Sequence, residues 1–204
     1  MNLENENEPA KGSSFLQIDF TQCFEQMRHY DQMQMALLKF AYTGYTAIVS
    51  GSYILLKIGE TKEMSFTPVI VLLLLVSFLI GLIVSSIFIR NRYYFVVVSR
   101  HVNELRDMFS GDKFLTSKSK SGISKEFGKT SYWNPFSSHM LAFYLLSVLN
   151  SSLFAGAVYI IGISAYHILL VAILILLALS LCQIVIARSY LKSKEKKPEG
   201  KVQE

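Results

Sequence analysis

The chain has 204 residues, 51% of them hydrophobic and 17% charged, with a formal net charge of +5. Its mean hydropathy is +0.36, and the apolar residues gather in blocks near the roughly 20 residues a helix needs to cross a bilayer. This excludes a conventional soluble domain, and two cysteines, Cys23 and Cys182, are too few and too distant for a disulfide framework. The composition reads as an all-α membrane protein: four transmembrane helices, an N-terminal amphipathic helix and a cytosolic extension of the second span.

Residues 1–14 are acidic and contain Pro9 and Gly12, the composition of a disordered arm. The first 30 or so residues hold no apolar signal segment, so the first span is expected to direct its own insertion. Over 15–34, Phe20, Cys23, Phe24, Met27 and Tyr30 recur at helical spacing. Asp19 and Gln22 are a plausible capping start. The polar face mixes Glu25, Arg28 and Asp31, which favours packing on protein over lying on lipid.

The first span covers 35–58, with Lys39 and Lys57 placed to snorkel. It is the least apolar of the four. Gly44, Ala47 and Gly51 let a neighbouring backbone approach closely. Thr43, Thr46, Ala47 and Ser50 are candidates to line water, and Tyr42, Tyr45, Ile48 and Ile54 are candidates to close a pathway by dewetting. The competing reading is tight helix packing, with the hydroxyls bonded back to their own carbonyls.

Pro68 suits the start of the second span, 67–89, whose Ser77, Gly81 and Ser85 form a small-residue packing face. Nothing from Arg90 to Phe109 is Gly or Pro, so this helix is expected to continue into water as a stem over 90–110. Arg92, Ser99, Asn103 and Arg106 fall on one stripe of it, with Arg100 at the flank. Arg90, Arg92, Arg100, Asn103 and Arg106 are therefore candidates to bind an anion. The plainer reading makes Arg90 and Arg92 membrane anchors and the remainder solvated surface.

Residues 111–138 comprise a Ser/Lys/Gly linker and an aromatic interfacial cluster, Tyr132, Trp133 and Phe136. The third span, 139–163, carries Asn150, a polar side chain that needs a hydrogen-bond partner within the membrane. The fourth, 166–187, is rich in Leu and Ile and is expected to face lipid. A basic tail, 188–204, follows. With Lys39 counted on the N-terminal side of the first span, all the Lys and Arg except Lys57 and Lys62 fall on the side of the N-terminal arm, the central loop and the C-terminus. By the positive-inside rule both termini and the stem are then cytoplasmic.

No enzyme motif is present: no phosphate loop, no HExxH, no GxSxG and no paired cysteines. The four histidines, His29, His101, His139 and His167, are scattered, so neither a metal nor a cofactor is expected. No carboxylate lies within a span, which argues against an intramembrane enzyme or an ion-coupled transporter. A channel remains, or a structural or receptor-like subunit that recruits a soluble partner; a small lipid or solute transporter is a third reading. One four-helix bundle leaves little room for water. A pore therefore requires a symmetric homo-oligomer, with the first span facing the axis and the fourth facing lipid.

The four-span layout, the extra N-terminal helix and R-N-R-Y-Y-x4-S-R-x-x-N-x-L-R over Arg90–Arg106 together resemble the small transmembrane effectors of bacterial anti-phage defence. The Hailong-type channel effector is the nearest in layout. That resemblance implies a tetrameric ion channel in the bacterial inner membrane, contacting lipids on its outside. It also implies a partner nucleotidyltransferase whose nucleotide product, a single-stranded DNA oligomer, holds the channel inactive until infection releases it. The assignment of ligand contact to the arginines rests on their charge pattern, not on the resemblance.

Overall fold

A computed structural model describes residues 8–62, 64–116, 130–162 and 167–195, with side chains for 15, 17–62, 64–105, 130–162 and 167–195. It is all-helical there: α1 Glu8–Lys62, α2 Thr67–Thr116, α3 Ser138–Ile161 and α4 Ile168–Glu195. Among the described residues, three helices are long and apolar enough to cross a membrane: α2 over Thr67–Leu105, α3 and α4. α1 is not among them, because Lys39, Lys57 and its many hydroxyl-bearing and small residues dilute its hydropathy.

Several expected boundaries dissolve. The amphipathic segment and the first span are one helix, because no proline interrupts residues 10–62 and isolated glycines do not stop a helix. The helix begins at Glu8, so the expected disordered arm is helical over 8–14, while residues 1–7 lie outside the described residues. Asp19 is therefore interior to α1 and caps nothing. The second span and stem are likewise continuous to Thr116, which takes the helix six residues past the expected end of the stem. Of the linker, 117–129 lies outside the described residues, as does the 163–166 reversal. α4 extends to Glu195, into what was expected to be tail.

The chain divides into two compact units. The span unit, residues 34–90 and 133–204, has a core of Ile70, Phe88, Met140, Phe143, Leu146 and Leu191, with the Phe88 and Phe143 rings 6.3 Å apart. The small residues Ser77, Gly81 and Ser85 are all buried, as a packing face requires. α4 is the opposite. Leu169, Leu170, Ile173, Leu174 and Leu177 are all exposed, an apolar wall suited to lipid. Of the aromatic cluster, Trp133 lies beside Tyr144 and Phe136 is 85% exposed. Ser137 caps α3, its side chain accepting from the Met140 amide. Ser137→Ala is expected to cost about 1 kcal/mol, read as a lower unfolding midpoint in detergent; an unchanged midpoint would mean the cap is idle.

The stem unit, residues 1–33 and 91–132, packs the N-terminal part of α1 on the stem part of α2. Cys23, Val102 and Leu105 are buried together, flanked by Phe20, Met27 and Val98. Tyr30 stacks on Tyr94 at 6.0 Å, and the Asn91 amide donates to the Tyr30 carbonyl at 3.3 Å. Of the apolar stripe read in residues 15–34, Phe20, Cys23, Met27 and Tyr30 thus pack on protein, while Phe24 is exposed.

Candidate functional site

Within the span unit, the chemistry of interest starts from one residue that cannot be left alone in an apolar setting. Asn150, on α3, is fully buried. Tyr45 of α1 donates its hydroxyl to Asn150 Oδ1 at 3.4 Å. The Asn150 amide donates to Gln183 Oε1 of α4 at 3.4 Å, and Gln183 Nε2 donates to Ser151 Oγ at 3.0 Å. Gly81 of α2 closes the fourth side: a Cβ there would collide with Asn150 Oδ1 and the Tyr45 hydroxyl. All four helices meet at this cluster. A buried amide left unpaired costs more than its hydrogen bonds return, so the bundle is built around satisfying it. Tyr45, a gate candidate from sequence, is therefore turned inward and committed to the hub.

The remaining pathway candidates lie elsewhere on α1. Thr43, Thr46, Ala47 and Ser50 are exposed, as are Tyr42 and Ile54, while Ile48 is half-buried. Thr46 donates to the Tyr42 carbonyl at 2.9 Å, so one hydroxyl does bond back to its own helix. A Cβ at Gly44 or Gly51 would meet nothing within 4 Å. This face is also concave. Tyr42, Tyr45, Thr46, Val49 and Ser50 of α1, with Leu149, Ser152 and Leu153 of α3, line an open recess of about 230 Å³, so Tyr45 borders it as well as the hub.

In the stem unit the arginine stripe converges on the chain's own backbone. Arg92 donates from Nη2 to the Ser131 carbonyl at 3.2 Å. Arg100 donates from Nε to the Thr130 carbonyl at 2.9 Å, and its guanidinium lies over the Tyr132 ring at 4.1 Å. Ser99 and Thr130 share a hydrogen bond between hydroxyls at 3.2 Å, and Tyr93 stacks on Tyr132 at 5.4 Å. Both arginines are buried, at 5% and 8% exposure. Two of the five anion-site candidates are thus engaged as a latch on residues 130–132. Of the others, Arg90, which belongs to the span unit, is exposed and Asn103 is half-buried. The Arg106 side chain lies outside the described residues. Tyr132, from the aromatic cluster read as interfacial, is buried with the Arg100 guanidinium over its ring.

The chain matches no family model, no curated protein and no solved structure.

One cluster escapes a reading by sequence spacing. His101 Nε2 lies 3.3 Å from Asp19 Oδ2, across 82 residues of chain, and Cys23 Sγ lies 3.8 Å from Asp19 Oδ1. Burial first, and then the Asp19 carboxylate beside it, raise the Cys23 thiol above its ordinary value. Only the antiparallel return of α2 along α1 brings the three together. In sequence the sole hint is the one-turn spacing of Asp19 and Cys23.

Proposed function

We propose that this chain is the subunit of a homo-oligomeric membrane ion channel whose first helix lines the pathway. The observation that supports this most directly is the exposed face of α1 carrying Thr43, Thr46, Ala47 and Ser50. Hydroxyl-bearing residues facing hydrocarbon gain nothing from it, whereas the neighbouring α4 offers an apolar outer surface. Symmetric copies arranged with α4 outward would turn the α1 face toward a shared axis, where water can solvate it. In this arrangement α1 is the fourth span and both termini are cytoplasmic.

Tyr42, Ile48 and Ile54 are then the gate candidates, Tyr45 being held in the hub. The stem supplies the control. An anionic ligand such as a nucleotide or oligonucleotide would compete with the Ser131 and Thr130 carbonyls for Arg92 and Arg100. Its stronger charge-assisted bonds would release residues 130–132, just before α3. The role as a defence effector that collapses membrane potential rests on the resemblance in layout. A second reading, a non-conducting scaffold, draws on Phe15, Ile18 and Phe24 of the stem unit, exposed apolar residues that a soluble partner could cover.

The deciding experiment is ion flux from liposomes holding the purified chain, compared with a Thr46→Leu/Ser50→Leu variant. Wild-type flux is expected, and roughly tenfold less in the variant at equal oligomer content, because isobutyl groups dewet a narrow pathway. Absence of wild-type flux at any voltage, with or without cytosol from infected cells, would remove the channel reading and leave the scaffold.

A further inference from the structure

We propose that Asp19, Cys23 and His101 form a zinc-binding site in the stem unit. Each offers one ligand atom, and these atoms lie within 4.8 Å of one another. The two separations from Asp19 are close to what a tetrahedral ion imposes, and Cys23 Sγ and His101 stand within 4.8 Å of each other. With Zn–S of about 2.3 Å and Zn–N or Zn–O of about 2.0–2.1 Å, neighbouring ligands stand about 3.3–3.6 Å apart. The Asp19–His101 separation of 3.3 Å already fits, and the Asp19–Cys23 separation of 3.8 Å needs a shift of tenths of an ångström. Asp19 and Cys23, one turn apart on α1, project to the same side of the helix.

The surroundings fit a metal as well as the ligands do. His101 presents Nε2 to the cluster, and its Nδ1 lies 3.6 Å from Glu104 Oε2. A carboxylate behind a ligating imidazole fixes its tautomer and orientation, and this pairing recurs at histidine-ligated metals. Cys23 is buried against Val102 and Leu105, which shield the sulfur side of the site. Asp19 is half-buried and His101 exposed, so the opposite side is open to water. An ion can enter there, and water or an external group can take the fourth position. A sulfur, nitrogen and oxygen donor set selects a borderline ion such as Zn²⁺ over Mg²⁺ or Ca²⁺, which prefer oxygen alone. Bound zinc would pin α1 to α2 within the stem unit, so its loss would loosen that pairing. The competing account is a hydrogen-bonded Cys–Asp–His cluster that holds no ion.

The full-length protein, purified in detergent, is stripped with chelator and titrated with Co²⁺ and then Zn²⁺. Wild type and Cys182→Ser are expected to show a thiolate-to-Co²⁺ charge-transfer band that Zn²⁺ abolishes, with one equivalent bound. Cys23→Ser is expected to lose the band, and Glu104→Gln to weaken Zn²⁺ binding about 10–100-fold. Glu104 is exposed, so its variant keeps the test decisive even if Cys23→Ser misfolds. Absence of the band in wild type would overturn the site, and so would a band lost in Cys182→Ser but kept in Cys23→Ser. Equal Zn²⁺ affinity in wild type and Glu104→Gln would also overturn it. Mg²⁺ displacing Co²⁺ as readily as Zn²⁺ does would overturn the choice of metal.

Discussion

Gly81→Ala is expected to destabilise the span unit by about 3 kcal/mol, the upper end of what overpacking typically costs. The added methyl would fall on Asn150 Oδ1 and the Tyr45 hydroxyl, and within 2.6 Å of Asn150 Cγ. The tyrosine can swing its far end away. Asn150 cannot, because its short side chain is fully buried and bonded on both sides, to Tyr45 and to Gln183. Moving it breaks bonds that nothing else in an apolar interior can replace, which compounds the steric cost. The measurement is the unfolding midpoint in detergent, in a cycle with Asn150→Ala. Removing the asparagine first should make Gly81→Ala nearly neutral, because the clash partner is gone. Strictly additive effects would show that the two residues do not meet.

The second large effect concerns the latch. Arg100→Ala is expected to destabilise the stem unit by about 2–4 kcal/mol. It removes a charge-assisted bond to the Thr130 carbonyl and a cation–π contact with Tyr132. Arg100→Lys should recover little, since an ammonium cannot present a planar fork to the carbonyl while lying flat over the ring. Arg90→Ala, at an exposed position, is the contrasting variant and should leave the midpoint unchanged. The direct readout is amide hydrogen exchange at residues 130–132, which should accelerate in Arg100→Ala and not in Arg90→Ala. Exchange at 130–132 that is indifferent to Arg100 would dismiss the latch.

Much of the helical framework could be read from local pattern. The apolar blocks gave α2, α3 and α4, and the spacing of Ser77, Gly81 and Ser85 gave a packing face. The need of Asn150 for a partner followed from the physics of a buried amide. Its actual partners did not, since Tyr45 and Gln183 come from α1 and α4 and no periodicity links them. The arginine stripe shows the limit most clearly. Arg92, Ser99 and Arg100 all reach residues 130–131, yet positive charge in a sequence does not say whether water, a ligand or a backbone carbonyl receives it. Residues 130–132 supply the carbonyls, from a stretch whose only visible features were aromatic. The continuity of α1 was missed for a related reason. A change from mixed to apolar composition near residue 34 marks a change of surroundings, which a helix can pass through without a break.

The hub also bears on how the chain enters a bilayer during synthesis. Asn150 and Gln183 would each be expensive passengers on a lone helix leaving the translocon. They lie on consecutive helices, α3 and α4, joined by the short 162–167 connection, and their amides bond to each other and to Ser151. The hairpin can therefore partition into lipid with its polar cargo already paired, without waiting for α1. Tyr45 then need only add its hydroxyl from α1 to a pair that is already satisfied.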